Sequence, residues 1–335
     1  MTTEVLSTRT PELFQAAVLR AADLLRAGQV VALPTETVYG LAANALDEKA
    51  VARIFQIKGR PAHNPIIVHV AGGDMTKICV RQWPGLAEKM ARAFWPGPLT
   101  LVLARADKIP AAVTAGGDTV GIRWPAHPFM QAVIRECGFP LAAPSANLSN
   151  RISPTNAGHV LAQLGGGLPL IVDGGQSQVG IESTVLDLTV SPPRILRPGM
   201  IHAESLAAAG LPIAESQLPI HSGSLKSPGL LKKHYAPKAK LLILNWRDES
   251  DLQAQIGVRQ SALGRLHVIA HTIIPSSFRA ASLSVIPHDA EAFARALYAE
   301  LHRCDAAGAE TIVVEAPPDL PAWSGVADRL RRAAA

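Results

Sequence analysis

Apolar positions recur at two different periods along the first two hundred residues, and the switches between them mark out the elements. In Thr10–Gly28 the residues Leu13, Phe14, Ala17, Val18, Ala21, Leu24 and Leu25 return every three or four positions, which predicts a helix. Thr10 suits its N-cap, Pro11 its first turn, and Gly28 a left-handed end. VVALP (Val30–Pro34) predicts a short buried strand, and Asp47–Ile57 a helix with Val51, Ile54 and Phe55 facing inward. PIIVHV (Pro65–Val70) is apolar without alternation, the pattern of a strand covered on both faces. Helices are predicted at Pro84–Phe94, His127–Cys137 and Pro154–Leu164. Strands are predicted at Leu99–Ala104, Thr119–Trp124 and Pro140–Asn147, and in PLIVDGG, STVLDLT and RILRPG.

Helices and strands alternate early and strands cluster late. The fold class predicted is α/β, a twisted and mixed sheet with helices, over residues 8–205. After Gly210 the period is lost. Pro, Ser, Gly and Lys dominate a linker, placed at 206–239, whose length points to a functional loop. Strand patterns return in KLLILNW, LHVIAH, SLSVIP and ETIVVEAP, with helices at Asp289–Ala306 and Pro321–Ala334. These predict a smaller Rossmann-like α/β domain over 240–335. Neither GxGxxG nor GxxxxGK[ST] occurs.

Composition narrows the function classes. The chain has 335 residues, 48% apolar and 18% charged, with no apolar run long enough for a membrane span, so no membrane partner is expected. The N-terminal stretch has no basic-then-apolar pattern of a secretory signal. Cys79, Cys137 and Cys304 show no CxxC spacing, which argues against a zinc site or a disulfide framework and for a reducing, cytoplasmic setting. A net charge of +5 and a pI near 9.3 favour anionic ligands such as nucleotides, and leave nucleic acid open.

The candidate chemistry gathers around Val30–Val70. Lys58 and Arg60 flank Gly59 just past a helix end, which reads either as C-terminal capping or as an anion site with a glycine for close approach. Ser145 and Asn147 end a strand; they suit a turn, or a hydroxyl and an amide offered to phosphate or ribose near a helix N-terminus at Pro154. His69 inside an apolar strand reads first as a satisfied core histidine. Arg123 and Arg197 stand among apolar residues, and a buried arginine requires an anion, from a side chain or from a substrate carboxylate. Thr35–Thr37 and Glu182–Thr184 read as ligands or as turns. No nucleophile triad and no metal-ligand spacing is present, so the pattern is a polar cleft that positions anionic substrates.

Eight motifs then occur in order: PTETVYGLAANA, KGRPAHNPIIVHV, FWPGPLTLVL, GIRWPAHP, PLAAPSANLSN, GIESTVLDL, ILRPGMI and SPGLLKKHYAP. Together they resemble the YrdC/YciO-type family in its long, two-domain form. The resemblance implies a YrdC-like catalytic domain and L-threonylcarbamoyladenylate synthase activity. In that reaction L-threonine, bicarbonate and ATP, with Mg2+ as cofactor, give threonylcarbamoyl-AMP and pyrophosphate. It implies as partners the transferase machinery that completes t6A at adenosine 37 of tRNAs reading ANN codons, and tRNA itself.

By the same resemblance Lys58 and Arg60 are catalytic. ATP is held by Arg60, Asn64, Thr119, Ser145, Asn147, Ser153, Arg197 and, from the linker acting as a lid, Tyr235. L-Threonine is held by Thr37, His69, Arg123, Ala143 and Ser183. Lys58 is expected to face the phosphates or the carbamate. The family match reverses the core reading of His69. Two alternatives stand beside it. One is a double-stranded RNA or tRNA-binding module of the same fold; the other is a carbamoyl-phosphate enzyme, whose related proteins carry paired CxxC motifs that this chain lacks.

Overall fold

The computed structural model describes residues 2–212, 226–229, 234–257, 265–276 and 282–335. It divides into two compact units. The first is Met1–Ser149 with Ser153–Leu230; the second is Asn150–Ile152 with Leu231–Ala335.

The first unit is built on a ten-stranded sheet. Its strands are β1 (Glu4–Ser7), β2 (Val31–Leu33), β3 (Gly40–Asn44), β4 (Val68–His69), β5 (Leu99–Ala104), β6 (Thr119–Arg123), β7 (Leu141–Ala142), β8 (Leu170–Asp173), β9 (Thr184–Asp187) and β10 (Arg194–Arg197). The order across the sheet is β1-β8-β2-β3-β7-β4-β6-β5-β9-β10. Parallel pairs (β1–β8, β4–β6, β5–β9) and antiparallel ones (β2–β3, β3–β7, β5–β6, β9–β10) both occur, so the sheet is mixed. Among the described residues seven α-helices accompany it: α1 (Pro11–Arg26), α2 (Glu48–Lys58), α3 (Gly73–Cys79), α4 (Gly85–Phe94), α5 (Pro128–Cys137), α6 (Ala157–Leu164) and α7 (Ala203–Ala208).

The lack of polar alternation in the strands now has its cause. Val31 and Leu33 of β2 join a core with Ala17, Val18 and Leu25 of α1 and Phe129 and Val133 of α5. Ala32 of the same strand joins a second core with Ile54 of α2 and Met90 of α4. Both faces are covered, so neither position of the two-residue period is polar. Burying a Val, Leu, Ile or Phe side chain stabilises by about 1.5–3 kcal/mol, so these two cores outweigh local propensity.

The helix caps follow the sequence pattern. Thr10 accepts from Leu13 N and Asp47 from Lys49 N and Ala50 N. Several expectations are corrected. β1 and β3 were absent from the periodicity, since EVLS is a short half-buried strand and GLAAN is built of residues with weak β preference. The strand expected at Pro65–Val70 pairs only at Val68–His69, and that at Pro140–Asn147 only at Leu141–Ala142. The helix expected from Pro154 begins at Ala157, because Asn156 is its cap and accepts from His159 N. The linker expected from residue 206 starts inside α7. Residues 213–225 and 230–233, half of the expected lid, lie outside the described residues.

The second unit carries a parallel sheet of β11 (Lys240–Leu244), β12 (Leu266–Ala270), β13 (Ser282–Val285) and β14 (Thr311–Glu315), in the order β11-β14-β12-β13. Helices α8 (Glu249–Gly257), α9 (Ala290–Ala306) and α10 (Ser324–Ala333) go with it, α8 being the one the sequence pattern did not predict. Leu244, Trp246, Leu252, Val268 and Val313 form its core. No helix among the described residues is long and apolar enough to cross a membrane.

Candidate active site

The candidate residues of the first unit lie on neighbouring strands and the turns that leave them. β4 and β6 pair in parallel with His69 opposite Arg123, so two residues 54 apart in sequence become adjacent by register. On the far side of β4, β7 leads into Ala143, whose N–H donates to Ile67 O at 3.1 Å. Ser145 then bridges to Gly40 at the start of β3. Beyond β6, Thr100 of β5 meets Ser183 just before β9, Oγ1 to Oγ 2.8 Å, and Arg197 closes β10. The sheet thus strings Thr37, Ala143, His69, Arg123, Ser183 and Arg197 along its middle and one flank.

Arg123 is 4% exposed. Its Nε donates to Gly97 O at 3.2 Å, its Nη1 to Thr37 Oγ1 at 2.8 Å, and its Nη2 lies 2.7 Å from Glu36 Oε1. The anion that its burial demanded is therefore a side chain, Glu36, supplied from the turn between β2 and β3. The sequence left Glu36 open between a ligand and a turn residue. The pairing spans 87 positions, so no local pattern reveals it. Burial pushes the Glu36 carboxyl up, yet the Arg123 guanidinium and the Ala126 N–H outweigh that and hold it below the usual range.

His69 is 3% exposed and its Nδ1 has no hydrogen-bond partner. Burial, and then the neighbouring Arg123, lower its pKa to about 3. A satisfied core histidine would have both ring nitrogens engaged; this one keeps Nδ1 open. Asn64 is fully buried with neither Oδ1 nor Nδ2 partnered. Orphaned amides of this kind cost about 1–3 kcal/mol unless something binds them. Beside it Arg60 donates from Nε to Asn64 O at 3.1 Å and from Nη2 to Pro65 O at 2.7 Å, which fixes the Asn64–Pro65 turn.

Lys58 is engaged by the fold itself. Its ammonium donates to Ser145 O, Asn147 O and Asn147 Oδ1. An ammonium has three donors, and three acceptors take them. Lys58 therefore ties the end of α2 to the Ser145–Asn147 loop, with neither phosphate nor carbamate needed to satisfy it. Burial first, then the Arg60 guanidinium, push its pKa well below the usual lysine value, against the opposing pull of Glu182. Gly59 serves the helix end, at φ +57° in the left-handed C-cap, rather than a close approach.

Ser153 donates to Glu182 Oε1 at 2.5 Å, an acceptor the sequence left among turn residues. Arg197 is 2% exposed; it donates from Nε to Ser183 O, from Nη2 to Ser183 Oγ, and from Nη1 to Pro228 O at 3.2 Å. Lys226 reaches Asp187 Oδ2 at 3.0 Å. The SPG part of the linker motif is thereby fixed to the first unit, where Lys226, Ser227 and Pro228 line a cleft with Thr100, Thr119 and Pro65. Tyr235 belongs to the second unit. There it is buried, at φ +63°, with its ring centroid 5.9 Å from that of Tyr298 and 5.3 Å from Arg329 Cζ.

Residues 23–199 match the Sua5/YciO/YrdC family model, described as telomere recombination, and residues 201–335 match the threonylcarbamoyl-AMP synthase C-terminal domain. The chain belongs to the Sua5/YciO/YrdC family. Among its relatives, the Bacillus subtilis threonylcarbamoyl-AMP synthase is 40% identical over 99% of this chain and 95% of its own. The Pyrococcus abyssi threonylcarbamoyl-AMP synthase is 39% identical over 93% and 92%. The crystal structure of P. abyssi Sua5 complexed with L-threonine superposes with a TM-score of 0.88 at 36% identity, covering 100% of this chain and 98% of that one. Escherichia coli YciO, 22% identical with a TM-score of 0.52 over 59% of this chain and 96% of its own, shares the fold. The two-domain form of the family is thus matched along its whole length.

Proposed function

We propose that this chain is an L-threonylcarbamoyladenylate synthase: L-threonine, bicarbonate and ATP yield threonylcarbamoyl-AMP and pyrophosphate. The observation that carries the reading is the similarity to threonylcarbamoyl-AMP synthases over nearly the entire chain. The site is compatible in detail. Arg123 donates to Gly97 O from Nε and to Thr37 Oγ1 from Nη1, while Nη2 lies against Glu36 without a hydrogen bond. Each terminal nitrogen keeps an N–H, and together they offer a fork to a bidentate carboxylate. In this reading the threonine carboxylate sits on that fork, its hydroxyl near His69 and Thr37, with Ala143 and Ser183 completing the amino-acid end. Arg60, Asn64, Thr119, Ser145, Asn147, Ser153 and Arg197 hold the nucleotide. Tyr235 is proposed as a further nucleotide ligand, and the linker after α7, up to residue 239, as a lid, on the sequence motif alone.

The chemistry needs no protein nucleophile. The neutral threonine amine adds to the carbon of bicarbonate, one N–H proton leaves with the bicarbonate hydroxyl as water, and a carbamate results. A carbamate oxygen then attacks the α-phosphorus of ATP, and the bond to the β,γ-diphosphate breaks to release pyrophosphate. Two anions must meet, which Arg60 and Arg197 would offset, and positioning in a dry site supplies most of the acceleration. Lys58 acts through the loop it holds. Among the described residues no group of three His, Cys, Asp or Glu side chains is placed to hold a metal. Mg2+ would enter with the substrate as MgATP.

The product would pass to the transferase machinery that forms t6A at adenosine 37 of tRNAs reading ANN codons, in the cytoplasm. The decisive assay is pyrophosphate release by the purified chain with threonine or bicarbonate omitted in turn. Release that ignores threonine overturns the assignment. An RNA-binding module would present exposed cations to phosphates, and Arg123 and Arg197 are buried.

A further inference from the structure

Glu36 has no place in the ligand set above, yet it is a confined charge at the amino-acid end. Its side chain is 9% exposed and pairs with that of Arg123, 5% exposed, at 2.7 Å. Holding two ions out of water costs several kcal/mol each, and the mutual attraction does not always repay it. A site that needed only a cation for a carboxylate could leave Arg123 alone in the cleft.

The charge count suggests what the pair does. His69 and His127 border it, and burial lowers the pKa of both, so neither adds charge near neutral pH. Glu36 and Arg123 together are then neutral overall but strongly dipolar. ATP, bicarbonate and pyrophosphate are anions; L-threonine is the one reactant of zero net charge. A lone Arg123 would attract all four. An Arg–Glu dipole welcomes a carboxylate only when an ammonium accompanies it, because a bare anion meets the Glu36 charge uncompensated. The pair also restrains geometry: Glu36 lies against Nη2 and Thr37 accepts from Nη1, so both terminal nitrogens of the guanidinium are held.

We propose that Glu36 is the specificity-determining residue of the amino-acid end, making the Arg123 fork selective for a zwitterionic α-amino acid over small anions. The inference rests on the synthase reading and deepens it. Glu36 acts here by charge and by holding Arg123, so it is a positioning residue.

The test is equilibrium binding by calorimetry, in the absence of ATP, of L-threonine and of 2,3-dihydroxybutanoate, which has a hydroxyl in place of the ammonium. The wild-type protein is expected to favour threonine. Glu36→Gln should shrink that preference by about tenfold, chiefly by tightening the anion, while Glu36→Asp keeps it. A purely structural role would weaken both ligands together and leave the ratio alone. A folded Glu36→Gln protein with the wild-type ratio overturns the proposal. Should Glu36→Gln not fold, the wild-type protein still decides. Exchanging gluconate for chloride at constant ionic strength should leave its threonine Kd unchanged, and competition by chloride overturns the proposal. A wild-type protein that binds neither compound overturns the proposed function, and this inference with it.

Discussion

His69 makes the stability of the first unit depend on pH in a way that can be worked out in advance. In the unfolded chain its imidazole titrates near the ordinary 6.5; in the fold, burial and Arg123 bring it to about 3. The native pKa is depressed, so the contribution is complete above 6.5. It is lost as pH falls from 6.5 toward 3, because the unfolded state takes a proton that the native state refuses. At pH 5 the gap is about 1.5 units, and at 1.36 kcal/mol per unit the loss is about 2 kcal/mol. This figure requires only that the native value lie well below 5.

The assay is urea denaturation of the wild-type chain and of His69→Gln at pH 8 and pH 5. Glutamine keeps a polar side chain but does not titrate. Other groups titrate in both proteins and cancel in the difference. Wild type should lose about 2 kcal/mol more than the variant between the two pH values. Equal losses would refute the reasoning, and would mean that His69 accepts a proton in the fold despite its position beside Arg123.

Arg123→Met should destabilise by about 3–5 kcal/mol, since it strands the Glu36 carboxylate; adding Glu36→Gln should recover part of that in chemical denaturation. Asn64→Leu, nearly isosteric, should leave the stability of the ligand-free protein unchanged or higher, because both amide atoms lack partners, yet raise the KM for ATP about tenfold. A variant that loses stability but keeps the wild-type KM would remove Asn64 from the nucleotide end. At Gly199 an added Cβ would lie 2.5 Å from Thr184 N and 2.8 Å from its Oγ1. Gly199→Ala should therefore cost about 1–3 kcal/mol or more by displacing β9, read as a fall in Tm, whereas Gly72→Ala meets nothing within 4 Å on its added Cβ.

Much of this protein was legible in the chain itself, and for local reasons. Helix faces and caps depend on residues three or four apart, so Thr10 and Asp47 marked the starts of α1 and α2. Continuous apolar runs foretold strands covered on both sides. The motifs named the candidate residues by type and order, from Thr37 to Arg197. What the sequence could not supply was pairing across distance. Nothing within a few positions of Arg123 says that Glu36, 87 residues earlier, is its counter-ion, or that Thr37 shares it. Lys58 looked like a free cation after a helix until the fold laid the carbonyls of Ser145 and Asn147 against its ammonium. The capping and anion-site readings of Lys58 and Arg60 were both local, whereas the carbonyls that engage Lys58 are 87–89 residues away. Side-chain type and spacing are written in the chain, but which buried donors are used up, and which nitrogen of His69 or amide of Asn64 is left open, is fixed only when the strands take their register.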